Sequence, residues 1–183
     1  MSELGDGLRT GVSIVLRDAL PLLEPHHREL HPVHAASGIP LHITLLFPFV
    51  PRAELSETHE RRLEGLFRSK GALEFELVSV ACFPTIVYAV PSPDAGLRQL
   101  MRSVWDEFPE TPPYGGALSD PPPHATIALV PDGASAEEVA RGVEARIGHL
   151  LPLRCVVKDV SLLEEYENGR WREARSFAFE PRE

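Results

Sequence analysis

The sequence is short of three things, and each shortage closes off a class of protein. Only two cysteines occur, Cys82 and Cys155, both inside apolar, strand-like runs. A disulfide-built scaffold is therefore excluded, and buried free thiols in a reducing compartment are expected, with the cytoplasm as the location. No apolar run approaches the roughly 18–20 residues that a membrane-spanning helix requires. The opening residues Met1 to Asp6 carry neither the basic region nor the apolar segment of a signal peptide, so no membrane association is expected. Positive charge is scarce as well: 18 Lys and Arg against 27 Asp and Glu leave a formal charge of −9. An extended nucleic-acid surface needs positive potential over many phosphates and is not expected here. A small anionic ligand held in a locally favourable cleft remains compatible with that balance.

What is present describes an ordinary globular chain. The 183 residues are 43% apolar and 25% charged, enough for one domain with a substantial core. The 18 prolines fall mainly in connecting segments, which predicts stiff loops. Alternation of Val12, Ile14 and Leu16 predicts a strand over 10–17. Residues 18–33 carry leucines at partly helical spacing, interrupted by Pro21 and Pro25, and predict one short or broken helix. A strand over 41–47 ends at Pro48, and Ser56 caps a helix over 57–69. A long strand over 72–83 follows. Next come a strand over 85–90, a helix opened by Pro91 and Pro93, and a Pro/Gly-rich loop over about 107–122. The pattern closes with a strand over 123–130, a helix over 135–149, and strands over 153–164 and 171–180 joined by a turn at Asn168-Gly169.

Within that order one tetrapeptide pattern occurs twice: His42-Ile43-Thr44-Leu45 and His124-Ala125-Thr126-Ile127. Residues i and i+2 of a strand share a face. His42 therefore projects with Thr44, and His124 with Thr126, while Ile43, Leu45, Ala125 and Ile127 turn to the core. Each copy sits at the same place in the order strand, helix, motif strand, helix, strand, at a nearly equal distance from the strand that follows. That repeat predicts an α/β (α+β) fold of duplicated strand-helix-strand-helix-strand lobes with pseudo-two-fold symmetry around a central cleft. The expected organisation is a single bilobal domain over 1–183, with lobe 1 about 10–83 and lobe 2 about 84–180.

Two imidazoles across a cleft suit phosphodiester chemistry. With an ordinary pKa of about 6.5, one ring can be neutral and take a proton while the other, protonated, delivers one to a leaving oxygen. The two threonine hydroxyls can donate to non-bridging phosphoryl oxygens as charge develops. His42, Thr44, His124 and Thr126 are thus the candidate catalytic residues, and no metal or cofactor is needed to complete the set. Paired motifs of this kind on a duplicated plan resemble the 2H phosphoesterase superfamily, which includes 2′-5′ RNA ligase-like proteins and cyclic phosphodiesterases. Residues 38–49 (GIPLHITLLFPF) resemble the first motif region, and Pro112-Pro113-Tyr114-Gly115-Gly116 leading to Pro123-His124-Ala125-Thr126 resembles the second. The resemblance spans roughly residues 10–180. It implies a bilobal fold and metal-independent action on 2′,3′-cyclic nucleotide or RNA-terminal phosphates or on 2′-5′ linkages, with the family's His and Thr positions falling on the same four residues. Which histidine is base and which is acid stays open. The expected partner is a small phosphorylated nucleotide or an RNA terminus, and the expected state is a monomer.

Other readings compete. The same cleft in a nucleotide-binding module without turnover is the alternative to catalysis. His26, His27, His31 and His34 form a local cluster in which His27 and His31 stand at i, i+4. That spacing can hold zinc, but Pro25 disturbs the helix and no cysteine is near, so a solvated polar face is expected. Tyr114, in its Gly-Gly loop, is a candidate for stacking on a base, and the loop a candidate lid. Arg170, Arg172 and Arg175 lie among Glu164, Glu165, Glu167 and Glu173, which neutralise them, and stay unassigned. Strand parity alone does not place Ser13 or Tyr88.

Overall fold

The computed structural model describes residues 8–118, 120–167 and 169–180. Its elements, in chain order, are β1 (Thr10–Val15), α1 (Leu20–Leu30), α2 (Pro32–Ser37), β2 (His42–Leu46), α3 (Glu57–Arg68), β3 (Leu73–Cys82), β4 (Ile86–Ser92), α4 (Ala95–Glu107), β5 (Ala125–Leu129), α5 (Ala136–Ile147), β6 (Leu153–Val157), β7 (Asp159–Glu165) and β8 (Trp171–Ala178). Short 3-10 turns at Pro113–Gly116 and Gly148–Leu150 complete the path. No described helix is long and apolar enough to cross a membrane.

The eight strands of the described residues join one sheet in the order β6-β3-β4-β5-β2-β1-β7-β8, with every neighbouring pair antiparallel. The order is symmetric about its centre, where β2 and β5, the two motif strands, meet. They touch at a single register pair, Ile43 opposite Ala125. The halves exchange strands: β3, which follows the first motif, pairs with β4 and β6, while β7 returns to pair with β1. This exchange explains a departure from expectation. The run 153–164 is two strands, broken at Lys158, because β6 lies in one half of the sheet and β7 in the other.

Two more boundaries differ from the sequence pattern. Pro91 lies inside β4 rather than opening a helix, and α4 starts only at Ala95. His124 sits just ahead of β5, which begins at Ala125. Two helices occupy the 18–33 segment and its continuation, but the break between them is not at Pro21 or Pro25. α1 tolerates Pro21 in its first turn and Pro25 inside, and ends where His31 leaves helical geometry at φ −129°, ψ 74°. Of the expected Asn168-Gly169 turn, Asn168 lies outside the described residues. Gly169 adopts φ +72°, a conformation that suits glycine.

One face of the sheet carries the main core. Val12, Ile14, Ile43, Leu45, Ala125 and Ile127 are buried there with Leu23 of α1, Leu63 and Phe67 of α3, Leu97, Met101 and Val104 of α4, and Val143 and Ile147 of α5. These helix residues recur at three- and four-residue spacing, so each amphipathic helix lays one stripe on the strands. A smaller cluster, Val15, Leu163 and Trp171 with Ile39 and Phe47 packed against it, lies apart from that core. At Gly11 an added Cβ would come within 3.2 Å of the Phe47 ring, so glycine is what lets Phe47 close over β1. The core side of β2 predicts a contrast between adjacent residues. Ile43→Ala, which empties a fully buried site, should cost about 2–5 kcal/mol in urea unfolding. Thr44→Val, on the opposite face, should cost less than about 1.5 kcal/mol. Equal losses would contradict the facial assignment.

Candidate active site

The face of β2 and β5 turned away from the main core lines a cavity of about 380 Å³. Both motif pairs meet there: His42 and Thr44 from the first strand, His124 and Thr126 from the second. Around them stand Arg9, Gly11 and Ser13 from the β1 segment, Val33, His34 and Ser37 from α2, and Phe47, Tyr114, Leu163 and Trp171. Ser13, which strand parity had not placed, pairs in register with Thr44 and faces the same space. A larger depression of about 560 Å³, lined by Arg17, Asp18, Arg154 and Lys158 among others, contains none of the motif residues.

The two histidines are held in the same way. His42 Nδ1 lies 2.8 Å from the carbonyl of Pro40, and His124 Nδ1 lies 2.8 Å from the carbonyl of Pro122. A carbonyl oxygen only accepts, so each Nδ1 carries the proton and donates it. Nε2 is then the free nitrogen of both rings, a base when the ring is neutral and a donor when it is charged. The prolines ahead of each motif hold the backbone in the extended turn that brings the carbonyl two residues upstream under its ring.

The surroundings of the two rings differ. His34 comes within 5.9 Å of His42, centroid to centroid, with His27 and His31 behind it. His124 instead meets the edges and faces of Phe83 at 5.4 Å and Tyr88 at 5.6 Å. Burial lowers the pKa of both rings. For His42, burial outweighs the Pro40 hydrogen bond and, with the charge of His27, His124 and His31, brings the value down to about 4. For His124, burial again dominates over the opposing Pro122 carbonyl. Both imidazoles are therefore neutral at pH 7, and an anion bound beside them would raise both.

The histidine cluster corrects the expectation of a solvated face. His27 and His31 are buried, at 1% and 5% exposure, and His34 reaches the cavity. His31 caps α2 by accepting from the His34 backbone N–H, a role usually taken by Ser or Asp. Among the described residues no three His, Cys, Asp or Glu side chains converge as metal ligands. Arg9 is the basic residue that the sequence reading missed. Its guanidinium pairs with Glu165 at 2.8 Å and lies over the Trp171 and Phe47 rings at 5.5 and 5.9 Å. Nothing in its local sequence marks it, since the Glu165 contact exists only because β1 and β7 are neighbours. By contrast, Arg172 and Arg175 are bound to Glu164 and to Glu60 and Glu64 and do not line the cavity.

Tyr114 stands between this cavity and an adjoining apolar one of about 550 Å³, lined also by Phe83, Ile86, Leu118, Pro122 and His124. Its backbone is in the left-handed region at φ +52°, held there by a hydrogen bond of 2.7 Å to the Phe47 carbonyl. The loop is thus tied to the end of the first motif strand. Trp105 of α4 ties the same strand from the other side, donating to the Leu45 carbonyl at 2.8 Å.

A symmetric antiparallel sheet that brings a His-Thr pair from each half into one cleft has the architecture of the two-histidine phosphoesterases. The chain belongs to the 2′-5′ RNA ligase superfamily, whose family model matches residues 21–169. Among solved structures, one described as a phosphoesterase is similar at 19% identity with a TM-score of 0.62, over 95% of this chain and 99% of that one. TT0787 of Thermus thermophilus is similar at 15% identity and 0.61, over 93% and 97%. E. coli LigT in complex with 3′-AMP is similar at 20% identity and 0.59, over 95% and 99%. Comparison with curated proteins gives no match. At these identities the structural likeness establishes the fold, and superfamily membership supports a phosphoesterase or 2′-5′ RNA ligase-like function.

The buried imidazoles also make stability depend on pH. A ring whose folded pKa lies below its unfolded value of about 6.5 leaves the unfolded chain holding more protons between those two values. Stability is therefore complete above about pH 6.5 and falls on acidification, for His42 down to about 4. Urea midpoints should be lower at pH 5 than at pH 7.5, and the difference should shrink in His42→Gln. A midpoint unchanged between the two pH values would contradict the buried, neutral state of the rings.

Proposed function

We propose that the protein is a metal-independent phosphodiesterase acting on 2′,3′-cyclic nucleotide or RNA-terminal phosphates, or on 2′-5′ linkages, by two-histidine acid–base catalysis. The observation that carries this reading is the pair of rings pinned at Nδ1 by equivalent carbonyls, with both Nε2 atoms left for one cavity that also holds Thr44 and Thr126. A cavity of about 380 Å³ suits a mononucleotide or a chain terminus better than an internal stretch of RNA. LigT, which shares the fold, has been crystallised with ATP, NADP+, 3′-AMP and phosphate, all small phosphate-containing ligands.

In this mechanism the phosphoryl group lies between the two strands, with its non-bridging oxygens accepting from the Thr44 and Thr126 hydroxyls. The ring crowded by other imidazoles, His42, is the one harder to charge and serves as base. His124, beside aromatic π-systems that favour a cation, serves as acid. Water attacks phosphorus, giving one proton to His42 Nε2, and the P–O bond to the leaving ribose oxygen breaks as His124 Nε2 protonates that oxygen. In this reading the base of the nucleotide stacks by Tyr114 in the apolar space beside His124.

Incubation with 2′,3′-cyclic nucleotides and 2′-5′ dinucleotides in EDTA tests the reading. Turnover should resist the chelator and drop by about 10²–10⁴ in His42→Ala or His124→Ala. Activity persisting in the double variant would eliminate the mechanism, and tight binding without product would favour a binding module. The pH profile is a second check. Because kcat/KM reports the free enzyme, it should rise through a limb near the His42 value of about 4. It should then fall through a limb below the ordinary imidazole value of about 6.5, set by the lowered pKa of His124.

A further inference from the structure

The cavity holds a third imidazole that the two-histidine scheme does not use. His34 Nδ1 lies 3.0 Å from His27 Nε2, and His27 Nδ1 lies 3.4 Å from a Glu24 carboxylate oxygen. That same oxygen accepts from the backbone N–H of Leu41 at 2.9 Å, immediately before His42. The other Glu24 oxygen accepts from Arg28 at 3.1 Å. The His34 ring is stacked on His31 at 3.6 Å, and its own backbone N–H donates to His31 Nδ1. His31 therefore holds both the plane and the backbone of His34, and His27 holds its ring edge.

The direction of the protons follows from the carboxylate at the far end. Glu24 accepts, so His27 Nδ1 carries the proton, and His27, neutral because it is buried, presents an unprotonated Nε2. His34 Nδ1 must then be the donor, which leaves His34 Nε2 unprotonated. His34 lines the cavity, and no described polar side-chain atom is buried without a partner, so its Nε2 is accessible to water. The outcome is a fixed acceptor next to His42, whose ring centroid is 5.9 Å away.

We propose that His34 positions the attacking water in the hydrolysis assigned above. One O–H of that water points at His42 Nε2 and the other at His34 Nε2, each in a hydrogen bond of about 2.8–3.0 Å, between rings whose centroids lie 5.9 Å apart. With both protons directed away, an oxygen lone pair faces phosphorus. The balance of the step is unchanged. The new P–O bond forms, the bond to the leaving oxygen breaks, one water proton goes to His42 and the leaving oxygen takes the His124 proton. The second water proton stays on the product oxygen. His34 is thus a positioning residue, and Glu24 and His27 fix its tautomer.

The inference rests on the phosphoesterase reading, and competing nucleophiles separate the two. Water has two O–H groups, whereas methanol has one, which His42 alone uses. With a 2′,3′-cyclic nucleotide in mixed water and methanol, His34→Leu should lower kcat for hydrolysis by about ten- to a hundredfold, with KM within about twofold. Methanolysis should fall much less, so the methyl ester becomes a larger share of product. His34→Gln, which puts a carbonyl oxygen near the Nε2 position, should restore most of the hydrolysis. The product ratio is independent of the folded fraction, so partial unfolding of a variant does not obscure it. An unchanged ratio in His34→Leu, or no rescue by Gln, overturns the inference while leaving the phosphoesterase reading standing. Absence of turnover by the unaltered protein overturns both.

Discussion

Two hydrogen bonds to proline carbonyls govern the site. The oxygens of Pro40 and Pro122 each hold an imidazole by Nδ1 at 2.8 Å, and that choice of nitrogen decides the rest. It leaves both Nε2 atoms for the cleft, it fixes both tautomers, and it makes the rings equivalent in form while leaving their neighbours to set how readily each takes a proton. The carbonyls are available only because the chain is not yet in the ladder there: His42 opens β2, and His124 precedes β5. A strand extended two residues further back would engage those oxygens elsewhere.

The sheet gives these bonds a rigid base. Ile43, Leu45, Ala125 and Ile127 are buried on the side opposite the catalytic candidates, so a one-residue slip of either strand would put an imidazole into the core and an isoleucine into the cleft. That cost locks the register. Because β2 and β5 meet at a single residue pair, the halves of the sheet are free to diverge from that point. The exchange of β3 and β7 between halves then binds them together on either side of the cleft. Trp105 and Tyr114, each hydrogen-bonded to a carbonyl of the first motif segment, brace it from two directions.

Much of this was legible in the chain. The i, i+2 alternation at 42–45 and 124–127 predicted which side chains share a face, and the repeated order of elements predicted the symmetry of the sheet. The four polar motif residues do line one cavity. What was not legible depends on contacts between distant segments. The histidines at 26–34 read as a solvated face because helical spacing describes only α1, whereas their burial comes from α2 folding back and from Glu24 reaching Leu41. Arg9 carried no signal because its partner, Glu165, is at the other end of the chain. The break at Lys158 was hidden for the same reason. Both sides of it are good strand sequence, and only the sheet order requires the chain to change halves there.

The sequence by itself determined the chemistry on offer: which residue types recur, at what spacing, and on which face of a strand. Those properties are local, set by backbone periodicity and by the partition of apolar side chains away from water. Only the tertiary structure decided how the two imidazoles differ, since both occur in the same motif and both bond the same kind of carbonyl. One is faced by further histidines and the other by Phe83 and Tyr88, and that difference arises from long-range packing. Electrostatic environment is a property of what surrounds a group in space, and spacing along the chain does not encode it.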